Sequence, residues 1–292
     1  MRRALGRACG SCAGERITTL HRNHSPAGRR PEPDWHNVFL TSLSIVIPAY
    51  NEESRLPSTL DAILGYIRRS PYADSAELLV VDDGSSDGTA ALVEQYRARF
   101  PRVILLRNPG NRGKGYSVRH GMLKASGQWR LFTDADLSAP IEELDSLLRV
   151  ASEKNADVVI GSRALDRSLI SVRQSWFREY SGRLFNVFMR TVTGLPFSDT
   201  QCGFKLFTAE AAESIFPLQR LDGFSFDVED LVIARALGFQ IIETPVRWSN
   251  VEGTKVSAMQ GLTSFADVLR IRWYKAQGRY HRLPQPAPSG TL

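Results

Sequence analysis

Short apolar runs alternate with amphipathic stretches over the first 160 residues or so, and this alternation restricts the fold more than any other feature. Strands are predicted near 43–48, 77–82, 102–107, 129–134 and 157–161. Helices are predicted between them, near 54–69, 88–99, 113–125 and 140–152. Such a βαβ rhythm is typical of a mostly parallel sheet with helices on its faces. The predicted fold class is therefore α/β.

The rhythm breaks after Ser162, and a basic amphipathic segment follows. Trp176 to Val192 carries aromatic and aliphatic side chains at helical spacing, with arginines 178, 183 and 190 interleaved and Arg173 just before it. Two interpretations are open. The segment is either a helix that packs on the core with a solvated face, or a helix at a membrane interface with its arginines toward lipid phosphates.

The two ends of the chain differ in composition from its middle. Residues 1–40 hold seven arginines against three acids and little periodic apolar pattern, so a flexible tail is predicted there. Residues 277–292 are predicted to be a disordered tail, since the last ten are rich in Pro, Ser and Gly. No run of about 18 apolar residues is present, and membrane attachment is expected to be peripheral, at the cytosolic face, or through a partner.

The cysteines suggest little chemistry. Cys9 and Cys12 with His21 and His24 can in principle bind zinc, but the spacer between the pairs is shorter than in zinc fingers. Cys202 lies among apolar neighbours and is interpreted as a buried free thiol in a reducing compartment.

Two carboxylates, Asp134 and Asp136, follow the fourth predicted strand directly. A strand that ends there delivers both acids to the sheet edge where open α/β folds bind ligands. An Asp-x-Asp pair can offer oxygens to Mg²⁺ or Mn²⁺ while the ion holds a diphosphate. The alternative is a loop whose acids face water or cap the next helix.

Three further motifs lie at strand ends. Asp82 and Asp83 end the second strand, where they can hydrogen-bond a base or ribose, and Asp87 is placed to cap the next helix. The first strand is followed by acids that suit a helix start. A basic, glycine-rich turn at 108–115 can present backbone N–H groups and a cation to phosphate.

In this order, the motifs resemble glycosyltransferase family 2 with the GT-A fold. They are Ile-Pro-Ala-Tyr-Asn-Glu at 47–52, Val-Asp-Asp-Gly-Ser-Ser-Asp-Gly-Thr at 81–89, Asn-Arg-Gly-Lys-Gly at 111–115 and Asp-Ala-Asp at 134–136. More narrowly, three later segments resemble the dolichyl-phosphate β-glucosyltransferases and prokaryotic polyprenyl-phosphate relatives. These are Asp-Thr-Gln-Cys-Gly-Phe-Lys-Leu-Phe at 199–207, Phe-Asp-Val-Glu at 226–229 and Pro-Val-Arg-Trp-Ser-Asn-Val-Glu-Gly-Thr-Lys at 245–255. A GT-A domain is thus expected over 41–276.

The resemblance implies an inverting transfer of glucose from UDP-glucose to dolichyl or polyprenyl phosphate, assisted by Mg²⁺ or Mn²⁺. The expected donor-binding residues are Pro48, Ala49, Tyr50, Glu52, Asp82, Asp83, Arg112, Lys114 and Asp134. The expected metal ligands are Asp136 and Asp134, and the expected cations for the acceptor phosphate are Arg163, Lys205 and Lys255. The expected catalytic residues are Asp134, Asp136, Arg163, Asp227 and Glu229.

Several alternatives remain open on the sequence. The same chemistry with GDP-mannose or another nucleotide sugar is possible, since no motif reads the orientation of a sugar hydroxyl. A binding protein that kept the fold and lost turnover is a second, although its acids and cations are intact. Asp227 and Glu229 also suit a helix start electrostatically, which is a purely structural explanation. No nucleic-acid partner is expected.

Overall fold

A computed structural model of the protein describes residues 42–169, 186–249 and 258–281. In these ranges seven strands form one sheet, in the order β3-β2-β1-β4-β6-β5-β7. The strands are β1 (Leu43–Ala49), β2 (Glu77–Asp82), β3 (Val103–Arg107), β4 (Trp129–Thr133), β5 (Val158–Ser162), β6 (Phe204–Thr208) and β7 (Ile241–Pro245).

Helices cover both faces of this sheet. They are α1 (Leu56–Arg69), α2 (Thr89–Arg99), α3 (Lys114–Lys124), α4 (Glu143–Lys154), α5 (residues 186–193), α6 (Ala209–Ile215), α7 (Phe226–Ala236) and α8 (Ala258–Ala276). No helix in the described ranges combines the length and the apolar composition needed to cross a bilayer.

The sheet is mostly parallel, as predicted. β1 pairs in parallel with β2 and β4, β2 with β3, and β5 with β7. β6 is antiparallel to both of its neighbours, β4 and β5. Because one strand reverses between them, β4 and β5 run in the same direction and end at the same edge. The loop before β6 starts from that edge too.

Side chains alternate between two apolar layers, as the period of a strand requires. On β1, Ile45 and Ile47 pack into the layer that contains α1 and α4, whereas Val46 packs into the layer that contains α3 and α7. On α1, Leu60, Ile63 and Ile67 face the sheet at helical spacing. Burial on both faces accounts for the nearly continuous apolar runs of β1 and β2.

The predicted elements of the first 160 residues or so are confirmed, each within three residues of its observed bounds. β6 and β7 were not predicted. Of the predicted amphipathic segment, α5 is helical, while Trp176, Phe177 and Phe185 lie outside the described residues. Residues 1–41, with the possible zinc ligands, also lie outside them.

The C-terminal boundary of the domain is later than predicted. Residues 277–281 form a turn after α8, and Tyr280 is buried in it. The Tyr280 hydroxyl donates to Glu229 Oε1 at 2.7 Å. The prediction of disorder from residue 277 is therefore wrong for this turn, since a buried, hydrogen-bonded aromatic side chain fixes it. Residues 282–292 lie outside the described part of the chain.

Candidate active site

The carboxyl ends of four strands meet at one edge of the sheet, and most candidate residues follow these ends. β1 ends at Ala49, β2 at Asp82, β4 at Thr133 and β5 at Ser162. Ligands of open α/β sheets bind at this edge. The candidate site is therefore assembled from segments far apart in the sequence.

Asp134 is the first residue after β4. Its Oδ1 lies 2.6 Å from Nζ of Lys114, at the start of α3. Its backbone N–H donates to the carbonyl oxygen of Gly203 at 3.2 Å. A Cβ atom on residue 203 would lie 2.1 Å from Asp134 Oδ2, so only glycine leaves room for the carboxylate there.

Asp136 lies on the turn that follows. Its Oδ1 accepts the Ser138 N–H at 3.0 Å, and the Leu137 N–H donates to the carbonyl of Asp134 at 3.2 Å. Leu137 itself has a φ of 45°, in the left-handed region that suits glycine. Such a backbone costs about 1–3 kcal/mol and persists where the surroundings over-determine it, often at ligand sites. The turn holds both acids at the sheet edge.

The two acids fit a Mg²⁺ or Mn²⁺ ion that also binds phosphate oxygens. Carboxylate oxygens are hard ligands, and Mg²⁺ is commonly bound through one or two carboxylates together with substrate phosphates. Within the described ranges, no group of three His, Cys, Asp or Glu side chains could hold a metal ion. A diphosphate would have to complete the coordination.

Opposite charges alternate inward from Asp134. Lys114 contacts Asp134, and further inside Lys205 Nζ forms a salt bridge with Asp227 Oδ1. Burial alone would lower the pKa of Lys114, but the nearby carboxylates of Asp134, Asp227 and Asp136 hold that pKa above its ordinary value. Burial raises the pKa of the Asp227 carboxyl, although Lys205 and Lys114 oppose this shift. Lys114 is therefore a cation beside the acidic turn.

Lys205, which the sequence predicted as a cation for the acceptor phosphate, is fully buried. It lies on β6 between Phe132 of β4 and Ile160 of β5, and its exposed fraction is 0%. Besides the salt bridge, its Nζ donates to the Cys202 carbonyl at 2.7 Å. The central position of β6 buries the ammonium, and Asp227 compensates the charge. Cys202 is a buried free thiol, as predicted.

Arg163 follows β5 and is held by an acid that the sequence did not single out. Its Nε and Nη2 donate to the two carboxylate oxygens of Asp199 at 2.6 and 2.8 Å. Its guanidinium carbon lies 4.9 Å from the centroid of the Trp248 ring. Burial would lower the pKa of Arg163, but Asp199 outweighs this and raises it. The Asp199 carboxylate therefore already pairs with this cation within the fold.

Glu243 of β7 supports this pair. Its carboxylate accepts the Ser198 N–H at 2.9 Å and the Asp199 N–H at 2.8 Å. Glu243 thus fixes the backbone of the residue that holds Arg163. Asp199, Glu243 and Trp248 were all missed as site residues. The motifs at 199–207 and 245–255 contain Asp199 and Trp248, but nothing in the sequence pointed to Glu243.

The acids after β2 have different surroundings. Asp82 Oδ1 accepts the Ser85 N–H at 3.0 Å. Asp83 is buried, and its carboxylate accepts the N–H groups of Arg112 and Gly113 at 3.0 and 2.8 Å, as well as the Asn108 amide at 2.7 Å. Asp83 therefore anchors the glycine-rich turn.

The sequence suggested that this turn presents its backbone N–H groups to a phosphate, but several of them are already bonded within the protein. Those of Arg112 and Gly113 bind Asp83, and those of Gly115 and Tyr116 donate to the Asp222 carbonyl at 2.8 and 3.2 Å. The cations remain accessible: Arg112 is exposed, and its guanidinium carbon lies 5.1 Å from the centroid of the Tyr116 ring.

The end of β1 and the residues that follow it lie at the same edge. Pro48 is half-buried, Ala49 is buried, and Tyr50 is exposed. The carboxylate of Glu52 accepts two hydrogen bonds from Arg55, both at 2.8 Å, so Glu52 shapes the start of α1. The Ala49 carbonyl accepts the Asp83 N–H at 2.8 Å, which ties this segment to the end of β2.

Glu229, which the sequence predicted to be catalytic, has its carboxylate bound to the protein's own groups. Its exposed fraction is 0%. Its Oε2 accepts the N–H groups of Arg220 and Leu221 at 3.0 and 2.7 Å, and its Oε1 accepts the Tyr280 hydroxyl. Both oxygens are committed to the protein's own fold. Lys255, the remaining predicted cation, lies outside the described residues.

The sheet, its strand order and the acidic turn after β4 define a GT-A glycosyltransferase. A sequence profile described as Glycosyl transferase family 2 matches residues 44–216. The chain belongs to this family, and it is an enzyme that transfers hexosyl groups.

Named relatives cover most of the chain. A dolichyl-phosphate beta-glucosyltransferase of Dictyostelium discoideum is 36% identical over 248 residues, which is 81% of this chain and 75% of that protein. One of Drosophila melanogaster is 38% identical over 244 residues, 80% of this chain and 74% of that protein. The chain is similar to both.

Solved structures support the fold. A glucosyl-3-phosphoglycerate synthase of Mycobacterium tuberculosis with Mn²⁺, UDP-Glc and phosphoglyceric acid has a TM-score of 0.59 at 20% identity, over 84% of this chain and 86% of that one. A mannosyltransferase of Pyrobaculum calidifontis with GDP-Man and Mn²⁺ has a TM-score of 0.55 at 20% identity, over 84% of this chain and 66% of that one.

Proposed function

We propose that this protein transfers glucose from UDP-glucose to a dolichyl or polyprenyl phosphate, with inversion at the anomeric carbon and with Mg²⁺ or Mn²⁺. The relatives named dolichyl-phosphate beta-glucosyltransferase support the acceptor and the sugar. The observation that carries the proposal is the turn after β4, which holds Asp134 and Asp136 beside Lys114 at the carboxyl edge of the sheet.

The donor side is assigned to the more accessible charged residues, which are Asp134, Asp136 and Lys114. Asp136 and Asp134 would hold the divalent ion, which when bound stabilises the charge that grows on the leaving diphosphate. Lys114 lies within 2.6 Å of Asp134 and carries a positive charge that a diphosphate can share. Asp82, Arg112 and the segment 48–50 lie around the same edge and are proposed to contact the nucleoside and the phosphates.

The acceptor side needs positive charge rather than a base. A lipid phosphate is already anionic at neutral pH, so a general base is less necessary than for a sugar hydroxyl. Repulsion between two phosphates has to be offset instead. Arg163 is proposed for this role, since 29% of its side chain is exposed beyond its contact with Asp199. Asp227 is too deeply buried to contact the acceptor directly, and it is proposed to fix Lys205 and, through its charge, Lys114.

The lipid chain of the acceptor stays in a bilayer while its phosphate reacts in water. The proposal therefore includes peripheral contact between this protein and the cytosolic face of a membrane. No protein nucleophile is invoked, because inversion needs only one in-line displacement.

In the experiment, the full chain is incubated with a short polyprenyl phosphate and with labelled UDP-glucose, GDP-mannose or another nucleotide sugar. Each reaction contains Mg²⁺, Mn²⁺ or EDTA. Label in the lipid phase with UDP-glucose, in β linkage and dependent on the metal, is the expected result. Preference for GDP-mannose would refute the donor, and binding without transfer would refute the enzyme.

Asp136→Asn tests the turn. A neutral amide replaces a metal-binding carboxylate, so transfer should fall by several orders of magnitude, as expected when metal stabilisation worth several kcal/mol is lost. Mn²⁺ binding in the presence of UDP should weaken in parallel. The control is Asp74→Asn, an exposed acid on the turn before β2, at the other edge of the sheet. Near-normal transfer by Asp136→Asn in EDTA would rule out the proposed metal site.

A further inference from the structure

An exposed apolar stripe runs along α8. Phe265, Leu269 and Trp273 recur every four residues and are 39%, 55% and 52% exposed. Residues at this spacing lie on one face of a helix. Val268 and Ile271 of the same helix are buried against the core, so the stripe is the outer face of α8.

The helix α5 extends this surface. The Phe188 and Phe265 rings lie 5.0 Å apart between centroids, which places α5 beside the first exposed residue of the stripe. Val187, which precedes Phe188, is 60% exposed, the largest fraction among the exposed large hydrophobic residues of the described chain. Arg190, one turn later, is exposed as well. We call Val187, Phe265, Leu269 and Trp273 the α8 surface.

Positive charges flank the α8 surface. Residues 263–281 contain four Lys or Arg and a single acid, Asp267. Arg270, Lys275 and Arg279 are exposed, and the guanidinium carbon of Arg279 lies 5.0 Å from the centroid of the Trp273 ring. An amphipathic helix with an aromatic residue on its apolar face and cations beside it is typical of binding at an anionic lipid interface.

The C-terminal end of this helix is fastened close to the candidate site. Tyr280 donates to Glu229 near the start of α7, and Glu229 accepts the N–H of Leu221. The next residue, Asp222, accepts the Gly115 N–H beside Lys114. A few hydrogen bonds thus connect the turn after α8 with the accessible cation of the site.

We propose that the α8 surface binds the face of an anionic lipid bilayer and so positions the carboxyl edge of the sheet near lipid phosphates. The purpose of this contact, which is to reach a lipid phosphate, rests on the proposed function. A second copy of this chain is a poorer occupant: a two-fold interface on this surface would place the same cations against each other. A bilayer with anionic lipid pairs with them instead.

The experiment measures binding of the full chain to vesicles of phosphatidylcholine with and without phosphatidylserine, containing no acceptor. The wild-type chain should bind the anionic vesicles and be partly released by salt. Leu269→Ser with Trp273→Ser should weaken binding on the order of tenfold or more, and Arg270→Gln with Lys275→Gln by about fivefold for each charge. Leu123→Ser on α3, 45% exposed, and Arg149→Gln on α4 are the matched controls.

Two readouts separate this inference from the proposed function. Transfer to a short, water-soluble acceptor should stay unchanged in the α8 variants, while transfer to a vesicle-bound acceptor falls with binding. Vesicle binding lost in the α8 variants but not in the controls supports the surface even if UDP-glucose proves to be the wrong donor. Equal binding by the α8 variants and the wild type would overturn it. So would a wild-type dimer in sedimentation that the variants dissociate, because the surface would then be a subunit interface.

Discussion

Asp230 lies on α7 with an exposed fraction of 0%, and neither of its carboxylate oxygens has a hydrogen-bond partner in the described part of the chain. Burial holds the pKa of this carboxyl well above its ordinary value, and the neighbouring acids Glu229 and Asp227 add to the shift. Lys205 and Arg119 oppose it without cancelling it. Asp230 therefore keeps its proton in the folded protein at pH values where the unfolded chain loses it.

This difference fixes the sign of a stability change. The folded state binds more protons than the unfolded state above about pH 4, the ordinary pKa of an aspartate, so stability falls as pH rises towards the folded pKa. The slope is at most about 1.4 kcal/mol per pH unit for one group. Asp230→Asn cannot ionise and keeps the shape of the side chain. It should be more stable than wild type at pH 7, by an amount that shrinks as pH falls towards 4.

Urea unfolding of both proteins at several pH values measures the difference. Asp230→Leu removes the polar atoms altogether, and the unsatisfied group it replaces costs about 1–3 kcal/mol. The free energy of unfolding of Asp230→Leu should therefore exceed that of the wild type by an amount that includes a part independent of pH. Overpacking by the larger side chain would reduce this part. A difference between wild type and Asp230→Asn that stays constant with pH would refute the reasoning, since Asp230 would then titrate like an exposed acid.

Two further predictions concern the site. Gly203→Ala places a Cβ atom 2.1 Å from Asp134 Oδ2, so the carboxylate must leave Lys114. Transfer should then fall at least tenfold, as for an overpacked site that costs about 1–3 kcal/mol. The control Gly223→Ala, whose Cβ meets no described atom within 4 Å, should keep its activity, and equal losses in both variants would contradict the prediction. Glu243→Gln weakens the support of Asp199, which holds Arg163, and should raise the KM for the lipid phosphate several-fold while leaving UDP affinity intact. A matching loss of UDP affinity in calorimetry would place Arg163 on the donor side.

The sequence predicts those features whose signal is local. Strand and helix periods repeat within a few residues, so β1 to β5 and α1 to α4 could be placed from the order of apolar positions. The acids after β4 were found because a strand end fixes which edge of the sheet they reach. β6 was missed because Lys205 interrupts a short apolar run, and a lysine there suggests an exposed segment.

The roles of individual charges could not be predicted, because each depends on a partner far away in the sequence. Arg163 meets Asp199 36 residues later, and Lys205 meets Asp227 22 residues later. Glu229 meets Tyr280 51 residues later. Sequence patterns place these residues at the correct edge but do not reveal which of them the fold has already neutralised.

Depth explains which charges of the site can act on a ligand. Side-chain exposure falls from 26% at Asp134 and 20% at Lys114 to 5% at Asp227 and 0% at Lys205. Because the outer pair keeps some contact with solvent, Asp134 and Lys114 can exchange partners with a metal ion and a diphosphate at a smaller cost than a fully buried pair. Breaking a buried pair costs about 3–5 kcal/mol, so Asp227 and Lys205 stay together whatever binds above them. We therefore propose that ligand contacts belong to the outer pair and that the inner pair holds the outer one in position.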